Sequence, residues 1–224
     1  MAEESQKFEI ALEQFRATWE EAFRQVFNLP ENVPESQYED WPVFPDPIFR
    51  EGYKLAFLDT DLMLLNGDLF EKLQQFLRDI GETEFAILLT PYRNRGDLNN
   101  YCFPVDIDWE TFRDEPMGGT LSTILPSFPQ FITGQTGQWG MYYVMESDMY
   151  IAGYADEEVL SALQANFGIE GRNVELAEKL GSDLGRLEKL VEKGYLPELT
   201  LRQGRRFREL AEQIRAEDRT SEGD

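Results

Sequence analysis

Two apolar runs, QWGMYYVM (138–145) and MYIAGY (149–154), limit the fold more than anything else in the chain. Glu146, Ser147 and Asp148 join them, as in a three-residue hairpin. Side chains on a strand alternate between two faces. In the first run one face takes Trp139, Met141, Tyr143 and Met145, and the other Gln138, Gly140, Tyr142 and Val144. In the second, Met149, Ile151 and Gly153 alternate with Tyr150, Ala152 and Tyr154. Neither face is charged. An antiparallel hairpin with one wet face alternates apolar and polar residues. This one is therefore expected to be covered on both sides. One face meets the core. The other meets the helices after 155, a proline-rich strap or another protein. Should that second face be open, Tyr142, Tyr150 and Tyr154 are the rings a partner would grip, together with Trp41 of the strap.

The chain supplies material for such cover. Phe8, Leu12, Phe15, Trp19 and Phe23 recur at spacings of three and four, which predicts a helix over 4–28. Five prolines follow between Pro30 and Pro47. They argue against a regular element, yet Trp41, Phe44, Ile48 and Phe49 are too apolar for a free linker, so a strap lying on the body is expected. LAFLDTDLMLL reads as a strand and EFAILLT (84–90) as a buried one. Between them Asn66-Gly67 marks a turn, and a helix begins at Asp68 and stops at Gly81. In YCFPVDI, Pro104 places the strand at an edge. Residues 118–135 are rich in Gly, Ser, Thr and Pro and read as a long connection. Helices are predicted over 155–167, 173–193 and 199–217.

The expected fold class is α+β: a small, mainly antiparallel sheet packed with helices, followed by a C-terminal helical pair. The charge pattern suggests where to divide it. The whole chain of 224 residues carries −22. Residues 1–168 hold 30 acids and 10 bases, whereas 169–224 hold 13 acids and 11 bases. The expected division is an acidic body over 1–170, then a near-neutral helical pair over 171–224 with a frayed acidic tail. No run approaches the roughly 20 apolar residues of a membrane span. With the acidic, amphipathic start and the single cysteine, Cys102, this gives a cytoplasmic expectation.

Composition also removes chemistries. The absence of histidine excludes Ser-His-Asp and Cys-His catalysis and histidine metal ligation. The phosphate-cradling patterns GxxxxGK[ST] and GxGxxG are missing. Cys102 sits in an apolar strand and reads as a small core residue. No catalytic residue is assigned and no cofactor is expected. Asp59-x-Asp61 and Asp106-x-Asp108 form the alternative. Residues i and i+2 of a strand share a face, so each pair could offer oxygens to Mg²⁺ or Ca²⁺. That alternative is a divalent-metal-binding protein or metal-dependent hydrolase, and it requires the four carboxylates to converge.

The leading expectation is a non-catalytic, acidic protein-binding protein of the inhibitor, immunity or assembly-factor type. Its partner would be a basic protein, because an acidic body repels nucleic acid and anionic lipid. Nucleic-acid and membrane binding are not expected. A DNA mimic is the third reading, but Arg16 and Arg24 interrupt the acids of the first helix. Arg202, Arg205, Arg206 and Arg208 form a basic patch near the C-terminus, expected to dock on the acidic body within one chain or between subunits of a homo-oligomer.

Overall fold

A computed structural model describes residues 8, 12–31, 41–60, 63–89, 99–114 and 129–221. It divides into two compact units, Met1–Ile169 and Glu170–Asp224.

The first unit is built on one six-stranded antiparallel sheet of order β1-β6-β5-β4-β2-β3. The strands are β1 (Lys54–Leu58), β2 (Glu84–Leu89), β3 (Asn99–Pro104), β4 (Gln130–Gly134), β5 (Trp139–Val144) and β6 (Met149–Tyr154). The α+β class follows directly. β3 is an edge strand, in keeping with Pro104. β4 lies inside the segment expected to be a long, partly structured connection. Its five residues are too few to show alternation, and glycine and proline flank them.

The hairpin of β5 and β6 occupies the middle of the sheet. Its register sets Trp139 opposite Tyr154, Met141 opposite Ala152 and Tyr143 opposite Tyr150. These six share one face. They join Ala56, Leu58, Ile87 and Ile132 in a core closed by helices α3 (Gly67–Asp79), α4 (Trp109–Asp114) and α5 (Glu157–Phe167). Asn66 caps α3 by accepting from the Leu69 amide at 3.2 Å, two residues before the start expected from Asp68. Asp156 caps α5, accepting from the Glu158 and Val159 amides at 3.0 Å each.

The opposite face is covered from the N-terminal side. The predicted first helix is divided at Trp19 into α1 (Leu12–Thr18) and α2 (Glu20–Val26). Beside them lies the strap. Trp41 meets the Phe131 ring at 5.6 Å, tilted by 55°, and the Phe44 amide donates to the Tyr142 hydroxyl at 3.3 Å. Phe27 and Phe49 form a small bridge whose rings meet at 5.3 Å. They lie over Gly140 and Gly153, which face each other across the hairpin. A Cβ on Gly140 would come within 2.5 Å of the Phe27 ring, and one on Gly153 would overlap the Phe49 ring. The sheet is thus the middle layer of three.

The second unit holds α6 (Val174–Ser182), α7 (Leu184–Glu192) and α8 (Glu198–Ser221). The first arm of the helical pair is broken at Asp183. α6 and α8 cross closely: a Cβ on Gly181 would stand 2.9 Å from the Arg208 amide nitrogen. Arg172 is buried and holds Glu217 at 2.8 Å, tying the entry of α6 to the far part of α8.

Candidate functional site

Trp41, Tyr142, Tyr150 and Tyr154, the rings expected to meet a partner, are all buried, none more than 3% exposed. None presents its ring at the surface, because the chain itself covers both faces of the hairpin. Tyr142 lies under the strap, to which Trp41 belongs. Tyr150 donates to the Gln130 amide oxygen at 3.0 Å. Burial, and then the neighbouring Tyr143, push the Tyr150 phenol well above its usual range, so it stays protonated.

The aspartate pairs are not brought together. Asp59 follows β1 and Asp106 and Asp108 follow β3, the two opposite edges of the sheet. Five strand spacings separate those edges, about 24 Å. Each strand is antiparallel to its neighbour, so β1 and β3 also end at opposite ends of the sheet. Asp61 lies outside the described residues. Asp108 has a local task. Its carboxylate accepts from the Thr111 amide at 2.8 Å and caps α4, and its bonds to Thr111 hold it below the usual aspartate range. Among the described residues, no three His, Cys, Asp or Glu side chains gather as a metal site would require.

Cys102 faces an equally inert setting. Burial, and secondarily the charge of Glu84, push its thiol up to about 12. At neutral pH it carries almost no thiolate, the species that reacts.

One carboxylate escaped sequence reasoning. Glu82 is buried and accepts four hydrogen bonds: from the amides of Gln135 at 3.1 Å and Thr136 at 3.4 Å, the Thr136 hydroxyl at 2.6 Å and the Trp139 indole at 3.0 Å. These donors are neutral and come from the β4–β5 turn and the start of β5. Glu82 therefore clamps that turn to the start of β2. Gly134 is required beside it, since a Cβ there would overlap the carboxylate. Of the two acids in GETEFAILL, Glu82 and Glu84, no periodic signal singles out Glu82 for this role.

At the sheet end where β1 starts and β3 finishes, carboxylates are exposed near the two edges: Glu51 beside β1, Glu157 and Glu158 after β6, and Asp106 and Asp108 after β3. Arg50 and Arg78 are exposed at the same end. Lys54 offsets Glu157 at 2.6 Å. The elements beneath are held by the Glu82 clamp and the Asp108 and Asp156 caps, so these acids stand on fixed backbone. A shallow groove of about 640 Å³ along α3, lined by Asp68, Glu71, Lys72, Gln75, Arg78 and Asn166, is mixed in charge. There Asp79 accepts from Asn166 at 2.8 Å and from Gln75 at 2.7 Å, and these bonds hold it below its usual range.

The C-terminal arginines find partners nearby. Arg205 meets Glu188 at 3.0 Å, Arg206 meets Glu209 at 3.2 Å, and Arg208 donates to the Ser182 carbonyl at 3.3 Å, all inside the second unit. Among the described residues, no helix is long and apolar enough to cross a membrane. Comparison with family models, curated proteins and solved structures finds no match to this chain.

Proposed function

We propose that this is a non-catalytic binding protein, of the inhibitor, immunity or assembly-factor type, whose acidic sheet end engages a basic protein partner in the cytoplasm. The observation that carries this reading is the set of exposed carboxylates, Glu51, Glu157, Glu158, Asp106 and Asp108, near the two edges of one end of a fully packed sheet. Rigidly mounted charges of one sign attract a basic surface and lose little freedom on binding. The buried tyrosines and tryptophans support a rigid scaffold rather than a contact surface.

Affinity capture tests it. Immobilised wild-type protein should retain a basic protein from the source cells at low salt and release it near about 0.5 M salt, where screening is nearly complete over contact distances. The triple variant Glu51→Gln, Asp106→Asn, Glu158→Gln avoids both helix caps and should retain roughly tenfold less. If the wild type retains no basic protein, or the variant holds as much as the wild type, the reading is wrong.

A further inference from the structure

The groove along α3 offers more than mixed charge. Gln74 also lines it, although that residue is only 7% exposed. The Gln74 amide nitrogen donates to the carbonyls of Val105 at 2.5 Å and Ile107 at 2.7 Å. Both side-chain N–H groups are spent there, which fixes the orientation of the amide and leaves its oxygen for the groove. Two neighbours repeat the pattern. Gln75 spends its amide nitrogen on Asp79 at 2.7 Å, and Asn166 spends its own on Asp79 at 2.8 Å and the Ala162 carbonyl at 2.9 Å. Among the described residues, none of these three amide oxygens receives a hydrogen bond. The Gln74 oxygen matters most, because an acceptor on a buried side chain gains from any donor that reaches it.

The charges around these acceptors say what would fill the groove. Asp68, Glu71, Lys72 and Arg78 line it and are exposed. Among the described residues, none of the four is held in an ion pair. Free carboxylates beside amide oxygens call for a positively charged N–H donor. A free ammonium and a free guanidinium call for an anion. Lys72 and Arg78 disfavour a bare metal ion, and Asp68 and Glu71 disfavour a phosphate. A small molecule that carries both charges meets all four. The volume of about 640 Å³ lies within the roughly 300–1,000 Å³ of small-molecule sites.

We propose that the α3 groove binds a small zwitterion of the α-amino-acid class. The ligand's ammonium group donates to the Gln74 oxygen, with Asp68 and Glu71 as its counter-charges. Its carboxylate meets Lys72 and Arg78, where the planar guanidinium can hold both carboxylate oxygens. The oxygens of Gln75 and Asn166 accept from the N–H groups that remain. The groove is shallow and leaves much of a ligand in water, so the dissociation constant is expected on the order of 1 mM. This site stands apart from the proposed capture of a basic protein and does not rest on it.

NMR of the isotope-labelled full chain tests this, because the side-chain amide signals of Gln74, Gln75 and Asn166 report from the groove itself. Each of the standard α-amino acids is added in turn to about 20 mM, well above the expected dissociation constant. At least one should shift those three signals saturably. Its decarboxylated amine and its N-acetyl form each lack one of the two charges and should bind at least about tenfold more weakly. The variant Lys72→Gln, Arg78→Gln changes exposed positions only. It should bind at least about tenfold more weakly as well, with an unchanged circular dichroism spectrum. No saturable shift with any amino acid overturns the proposal. Equal binding of the amine or the N-acetyl form overturns it too, and so does undiminished binding by the variant. The Glu51→Gln, Asp106→Asn, Glu158→Gln variant leaves the groove's lining intact and should bind the amino acid as the wild type does. Failure of this proposal and failure of basic-protein capture are therefore separate results.

Discussion

Cys102 shows how far a residue's chemistry is set by where its neighbours put it. A thiol pushed up to about 12 keeps its proton over the whole neutral range. In the unfolded chain it titrates near 9.0, the ordinary value. Between these two values the folded state binds more protons than the unfolded one. Stability from the buried thiol is therefore complete below about pH 9 and declines above it. Alkylation by iodoacetamide at pH 8 should be at least about a hundredfold slower in the native protein than in denaturant, since the reactive thiolate is depleted. Equal rates would refute the buried setting. Its place in an apolar strand was legible from YCF alone. The role of Glu82 was not, because a carboxylate that accepts four neutral donors looks in sequence like any surface acid.

At the scale of elements, the central hairpin was the most legible part. Two uncharged faces required two covers, and the chain provides both. Which segment lies on which side was not legible. The alternation of β5 and β6 is symmetric between faces, so it cannot say that α3, α4 and α5 take one side and the strap the other. The glycines held the missing information. Gly140 and Gly153 pair across the strands and leave a trough for Phe27 and Phe49. Glycine inside a strand signals close approach of another group. Replacing Gly153 with valine forces the Phe49 ring out and should cost about 2–4 kcal/mol in urea unfolding. Gly168→Ala is a useful contrast. Its space is open but its φ is +67°, so a backbone cost of about 1 kcal/mol should appear without repacking. A neutral Gly153→Val would mean that Phe49 does not sit over the hairpin.

For the whole molecule, charge is the dominant quantity. A first unit with 30 acids and 10 bases repels itself, and among the described residues only a few of its acids have a base beside them. Raising salt from about 0.02 M to about 0.3 M should therefore stabilise it, by roughly 1 kcal/mol or about 2–4 °C in Tm. Scanning calorimetry at low protein concentration reads this directly, and a Tm that falls with salt would contradict it. The chain has no histidine, so no side chain with an ordinary pKa near neutrality alters that balance between about pH 6 and 8. The division of charge between the two units was visible in composition. The sheet order was not, since nothing in a strand of five or six residues encodes which neighbour it takes. The layering has an optical consequence. Trp139 lies buried on one side of the sheet, with its indole on Glu82, while Trp19 and Trp41 lie buried on the other and Trp109 is half-exposed. Single-tryptophan versions of the chain, with phenylalanine at the other three positions, would make each layer emit separately. The order in which the two coats leave the sheet during unfolding could then be followed by fluorescence, one side at a time.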